Sequence, residues 1–323
     1  MIDKLKESPK IGLGTFPFGN VFSEISQDLA EEIVRTFIHL GGKYIETAPV
    51  YPRSKVILSD ILKKLPRNSY FLSSKCVTDQ DESGNKFRSG KREHIISQCE
   101  NELKRLGVDF LDMMQSHIVA QDAPIKETAI TLQYLKDNKY VDDIGVSNVN
   151  LEQLKEYCDY ADVKFVQNRF SFLHQNTQKG LYDFCVQNNI FFNPYQVIER
   201  GLLTSQPTNG GNWRQGDLRH SKTEYSGEVY AFIRHWIEEN LLLIANENNV
   251  SLEALIIAWT NYQPQTQLPV IGMTNLNQIE KLFESLKFSI TSEMVKEINS
   301  KYELLVKTIS DKFDSTIEKY RGV

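Results

Sequence analysis

Four cysteines in 323 residues, at positions 76, 99, 158 and 185, stand without a CxxC pair or metal-ligand spacing. That scatter excludes a disulfide framework and a thiolate metal site, so no metal is expected. Basic blocks are missing as well. Lys and Arg number 37 against 42 Asp and Glu, a net charge of −5 with no cationic stripe, which argues against nucleic acid as a partner. The longest apolar stretch, Leu241-Leu242-Leu243-Ile244-Ala245, is far too short to cross a bilayer. Met1 to Lys6 lack the apolar core of a secretion signal, so a cytoplasmic chain with no membrane partner is expected. There is no low-complexity segment and no repeat beyond the rhythm described next.

What is present is an alternation. Strand-like apolar runs fall at 11–16, 43–48, 70–76, 110–117, 141–147, 164–170, 190–196 and 269–272, and segments of helical periodicity lie between them. Examples of the latter are Leu29, Ile33, Phe37, Leu40; Ile96, Cys99, Leu103, Leu106; and Ile130, Tyr134, Leu135. Eight β/α alternations point to an α/β fold, a single (β/α)8 TIM barrel of parallel strands over 1–323 with its core at about 10–285. A doubly wound sheet usually has fewer strands and a Gly-rich first turn. Asn150 with Gln153, and Ser251, read as helix caps, and Pro124 as the start of a helical turn. A long loop at 204–227, after the seventh strand, is expected to hang over the barrel mouth, and a helical tail at 292–323 to pack outside it.

Three successive runs end at, or just before, Tyr51, Lys75 and His117. Strand C-termini of an α/β barrel converge on one face, where active sites form. Singly, each residue has a bland explanation: packing for the tyrosine, a satisfied near-core position for the histidine. A lysine closing an apolar strand needs a counter-charge. Together, a phenol, an ammonium and an imidazole at one mouth make a proton-donating site.

These residues, with Ile11-Gly12-Leu13-Gly14-Thr15, Gly41 to Tyr51, Ser74-Lys75, Gln115-Ser116-His117, Ile144 to Asn148, Val166-Gln167-Asn168, Tyr195 to Leu203 and Ile271 to Asn275, give a chain that resembles the aldo-keto reductases over roughly 10–285. The resemblance implies reduction of an aldehyde or ketone by a nicotinamide cofactor, on a small carbonyl or sugar-like substrate. Tyr51 would be the general acid, Lys75 its pKa modulator, His117 the carbonyl orienter and Glu46 the partner of Lys75. It also implies that Ser147, Asn148 and Gln167 hold the carboxamide, and that Tyr195 stacks on the nicotinamide. Gly14, Thr15 and Phe16 would line the first loop. Gln196, Ile198, Arg200, Gly201 and Leu203 would wrap the pyrophosphate, and Gly272, Met273, Thr274, Asn275, Gln278 and Lys281 the adenosine end.

Two departures stand out. Glu46 occupies a position where the family has Asp, and Gly272, Gln278 and Leu282 replace commoner nucleotide contacts. Lys281 keeps a positive charge there, favouring NADP(H) over NAD(H). Other readings are a cofactor-retaining enzyme acting on a sugar or sugar nucleotide, and a nicotinamide-binding homologue with little turnover.

Overall fold

β-branched and aromatic residues make short buried strands, and capped amphipathic helices separate them. The computed structural model describes residues 5, 8–81, 83–175, 180–205, 213–221, 225–263 and 268–313. The strands are β1 (Gly12–Gly14), β2 (Tyr44–Glu46), β3 (Phe71–Cys76), β4 (Thr78–Gln80), β5 (Lys86–Arg88), β6 (Leu111–Ser116), β7 (Val141–Ser147), β8 (Val163–Gln167), β9 (Phe191–Phe192) and β10 (Val270–Gly272). Among the described residues, eight of them form one parallel sheet in the order β10-β1-β2-β3-β6-β7-β8-β9. A parallel bridge between Tyr195 and Val270, with the Val270 amide donating to the Pro194 carbonyl at 2.8 Å, brings the last strand back to the first. This is the (β/α)8 arrangement expected. The antiparallel β4–β5 hairpin was not: Thr78, Asp79 and Gln80 carry no apolar alternation to announce it.

The helices are α1 (Gln27–His39), α2 (Pro52–Leu62), α3 (Arg92–Leu106), α4 (Ile125–Asp137), α5 (Leu151–Tyr160), α6 (Leu181–Gln187), α7 (Gly227–Glu247), α8 (Leu252–Tyr262), α9 (Leu276–Ser285) and α10 (Ser292–Phe313). The anticipated capping box closes on Asn150 and Gln153, and Ser251 accepts from the Ala254 amide at 3.2 Å. Pro124 precedes α4 as its cap residue. The buried faces of α3 and α4 differ from the expected ones by about a residue. In α4 the buried stripe is Thr128, Ala129, Leu132 and Leu135, while Ile130 is exposed. Small side chains let that helix approach the strands closely, so volume rather than hydrophobicity sets its rotation.

The charged tail is not a purely solvated face. Val295, Ile298, Tyr302, Leu305 and Ile309 of α10 form one buried stripe, and α10 packs on α7. Each such side chain contributes about 1.5–3 kcal/mol on burial. The Trp259 indole of α8 also donates to Asn299 of α10, at 2.9 Å. The far end of that tail, 314–323, lies outside the described residues, as do 206–212 and 222–224 of the long loop.

Side chains inside the barrel are layered. Tyr44, Phe71, Met113, Phe165, Leu268 and Val270 form an apolar floor with Leu5. Because strand side chains alternate, the next inward positions after Tyr44 and Phe165 are Glu46 and Gln167, and Lys75 follows two residues after Ser73. The floor thus closes the barrel below these residues, and Glu46, Lys75 and Gln167 stand above it toward the C-terminal mouth. No single helix among the described residues is long and apolar enough to cross a membrane.

Candidate active site

Pro52 opens α2, and Tyr51 stands just before it as the cap residue, at the end of the loop leaving β2. Lys75 is the fifth residue of β3. His117 directly follows β6, its amide donating to the Cys76 carbonyl at 3.1 Å. The three residues meet at one mouth. Lys75 Nζ is 5.9 Å from the centre of the Tyr51 ring, and the Tyr51 and His117 rings are 6.5 Å apart, edge to face. Phe16 covers the other side of Tyr51 at 5.0 Å.

Glu46 reaches Lys75. Its Oε1 lies 2.7 Å from Nζ, with both side chains buried. β2 and β3 are adjacent, with Glu46 opposite Ser73, so the longer acid reaches Lys75 from the neighbouring strand. The second carboxylate oxygen accepts from Gln167 Nε2 at 2.5 Å.

Burial dominates the proton affinities here. The Tyr51 phenol is held well above its ordinary pKa by desolvation first and by the Glu46 charge second. The expectation was that Lys75 would draw this pKa down. In the structure burial and the Glu46 charge prevail, and the net shift of the phenol is upward. Desolvation lowers the Lys75 pKa, with Glu46 opposing. His117 falls to about 3, from burial and then from Lys75, Arg88 and Lys86. The imidazole is therefore neutral across the physiological range, a hydrogen-bonding group rather than a cation.

Around this centre runs a cavity of about 550 Å³, the size of a small-molecule or cofactor site. Ser147, Asn148 and Gln167 are tied to one another and to their neighbours by hydrogen bonds. Ser147 Oγ donates to the Gln167 carbonyl at 2.6 Å, Asn148 Nδ2 to the His117 carbonyl at 2.9 Å, and Tyr195 Oη to Asn148 Oδ1 at 2.7 Å. The wall from Gln196 to Gly201 is strained. Gln196, Glu199 and Arg200 all have φ between 46° and 57°, and Gly201 has φ 98°. Glu199, accepting from Arg169 and Ser171, braces it from behind. At the far end Asn275 caps α9, while Gln278 Oε1 accepts from the Thr274 amide at 2.8 Å.

Gly14, Phe16, Glu46, Tyr51, Lys75, His117, Ser147, Asn148, Gln167, Tyr195, Gln196, Ile198, Arg200, Gly201, Gly272, Thr274, Asn275, Gln278 and Lys281 line this cavity. Three residues expected beside them do not: Thr15, Leu203 and Met273 are fully buried behind the wall. Thr15 and Met273 each adjoin a lining glycine, and alternation turns the neighbouring side chain away. Arg219 and Glu253 line the cavity without having been singled out, and Leu282, named as a departure, lines it too. Arg219 comes from the long loop. It bonds Asp217 at 2.7 Å and the Arg200 carbonyl at 2.9 Å, and its guanidinium lies 4.1 Å over Trp213. The loop's described part spans the mouth as expected, with the Leu218 amide on the Val21 carbonyl at 2.8 Å. The sequence did carry a sign of this: an arginine beside an aspartate and an aromatic, in a loop expected to overhang the mouth.

The model of the aldo/keto reductase family matches residues 10–303. The chain belongs to that family. It is 28% identical over 309 residues to the aldo-keto reductase YhdN of Bacillus subtilis (strain 168), covering 94% of this chain and 92% of that one. It is 26% identical over 299 residues to the NADH-specific methylglyoxal reductase of Escherichia coli (strain K12), covering 87% and 91%. Among solved structures, the glycerol dehydrogenase AKR11B4 from Gluconobacter oxydans superposes with a TM-score of 0.82 at 22% identity, over 95% of this chain and 93% of that one. This aldo-keto reductase is thus an oxidoreductase of carbonyls and alcohols on a nicotinamide-binding barrel.

The residues present suit such a cofactor. His117 Nδ1 and Gln196 Oε1 are buried, line the cavity and have no hydrogen-bond partner among the described residues. A Cβ at Gly272 would lie 2.5 Å from Pro17 Cγ, so glycine lets the first loop pack directly against the end of β10 beside the cavity.

Proposed function

We propose that the protein reduces an aldehyde or ketone to the alcohol with NADP(H) as the preferred cofactor. The observation that carries this reading is the convergence of Tyr51, His117 and the Lys75–Glu46 pair on one water-poor cavity wall. Ser147, Asn148, Gln167 and Tyr195 would hold the cofactor, which would supply hydride when bound.

The remaining work falls to this chain's own side chains. Addition at the carbonyl carbon leaves negative charge on oxygen, which needs a donor in place. Tyr51 enters as the neutral phenol, the form that can donate. As the proton leaves, charge appears on the phenol oxygen, and Lys75 is the nearby cation that stabilises it. Glu46 fixes the direction of the ammonium. Neutral His117 offers a hydrogen bond that holds the carbonyl oxygen against Tyr51. Phe16 and Phe22 on the cavity wall exclude water from the transfer.

Preference for NADP(H) rests on the adenosine end. Lys281 and the N-terminus of α9 line the cavity there, and both favour an anionic group. Titration with NADPH and NADH, followed by cofactor fluorescence, tests this. Tighter binding of NADPH, weakened by Lys281→Ala, is the expected result. Equal or tighter NADH binding overturns the preference. Binding of neither overturns the function.

A further inference from the structure

Glu46 uses both carboxylate oxygens, and the second one points at a residue assigned to the cofactor. Oε1 meets Lys75 Nζ at 2.7 Å and Oε2 meets Gln167 Nε2 at 2.5 Å. β2 and β8 are not neighbours in the sheet, so this contact crosses the barrel mouth. All three residues are at most 5% exposed. An ionised carboxylate only accepts, so the Gln167 amide nitrogen faces it. The Gln167 Oε1 end is then what remains to accept from a ligand. The backbone at the top of β8 is pinned too: the Gln167 carbonyl accepts from Ser147 Oγ at 2.6 Å and from the Asn148 amide at 3.1 Å.

Length decides the matter. An aspartate in contact with Lys75 is shorter by one methylene, about 1.5 Å. That turns the Gln167 contact into a gap no longer within hydrogen-bond range. The longer acid therefore does something the shorter one cannot.

We propose that Gln167 is a positioning residue for the Lys75–Glu46 pair, and that Lys75, Glu46, Gln167 and the cofactor's carboxamide act as one linked chain. The inference rests on the reductase reading given above. Filling the carboxamide subsite fixes Gln167, and Gln167 fixes the carboxylate that orients the lysine. Cofactor occupancy and the geometry of proton donation are coupled through a single side chain.

A double-mutant cycle tests this, with the full-length protein, Glu46→Asp, Gln167→Met and the double variant, each shown by thermal unfolding to be folded. Turnover of a carbonyl that the parent reduces is read as kcat at saturating dinucleotide. Affinity is read by fluorescence for the dinucleotide and for its nicotinamide-free fragment, 2′,5′-ADP or AMP. Gln167→Met is expected to lower kcat in the parent by a factor at least about threefold larger than in the Glu46→Asp background, a non-additivity typical of contacting residues. Glu46→Asp is expected to alter dinucleotide affinity and leave fragment affinity unchanged. Gln167→Glu adds a readout that mere structural support would not move. It sets two carboxylates together, one of which must hold a proton, so kcat should recover as pH falls.

Equal losses from Gln167→Met in both backgrounds, with additive affinities, overturn the inference and leave the reductase reading standing. A parent that binds dinucleotide without turnover decides the inference on the affinity cycle alone. A parent that binds neither dinucleotide overturns both.

Discussion

Two buried lysine–glutamate pairs flank the same strand and have different fates. On the inward side of β3, Lys75 meets Glu46 at 2.7 Å; from the outward side, Glu102 of α3 meets Lys55 of α2 at 3.0 Å and Ser74 at 2.7 Å. Adjacent residues of one strand thus serve two ion pairs, because alternation sends Ser74 out and Lys75 in. The outer pair is closed on itself. Lys55 also donates to the Pro49 carbonyl at 2.7 Å, and neither residue touches the cavity. The inner pair is open, facing a ligand space, a phenol and an imidazole. Identical charge chemistry is enclosed by packed helices in one case and borders the cavity in the other.

The largest expected effect is on the open pair. Lys75→Met and Tyr51→Phe should each lower kcat by about 10²–10⁴-fold, the usual worth of a positioned acid and its support. Dinucleotide affinity should change little in Tyr51→Phe, since that phenol is outside the Lys75–Glu46–Gln167 chain, whereas Lys75→Met should shift it as Glu46→Asp does. Single-turnover rates and fluorescence titration measure the two. A Tyr51→Phe variant that kept most of the rate would remove Tyr51 as the acid.

The closed pair should answer in the opposite currency. Lys55→Met leaves a buried carboxylate without its counter-ion and should destabilise the fold by about 3–5 kcal/mol, while Lys55→Met with Glu102→Leu should return to within a few kcal/mol of the parent or above it. Below the unfolding transition, kcat should stay within about threefold of the parent. Denaturant melts and rates on the same samples check both. A large rate loss in the stable double variant would show that the outer pair also positions Tyr51 and Lys75, through Pro49 and Ser74.

Much of this was legible in the sequence. The eight strand positions followed from apolar runs bounded by turns, and Tyr51, Lys75 and His117 from their places after those runs. The outer pair was not. Lys55 and Glu102 look like ordinary solvated charges in helical segments, and only the packing of α2 on α3 shows that both are buried. Helix rotation failed for a related reason, since Ala129 and Thr128 outrank Ile130 by shape. The Glu46–Gln167 contact joins residues 121 positions apart and has no local signature. Composition and periodicity report on burial along one element. They are silent on which side chains from distant elements meet.

The smallest effect concerns His117, which separates the two regions by pH. Its folded pKa of about 3 lies below the ordinary 6.5. As pH falls, the unfolded chain takes up this proton first, which favours unfolding. Stability from the neutral imidazole is therefore complete above about pH 6.5 and lost progressively toward about pH 3. Because the ring is only half-buried, solvent weakens the effect, and the slope should be shallow. Denaturant midpoints at about pH 7.5 and about pH 5 should differ less in His117→Gln than in the parent. An unchanged slope would mean that acid sensitivity comes from carboxylates elsewhere, and that the positive surroundings of His117 tune ligand orientation without burdening the fold.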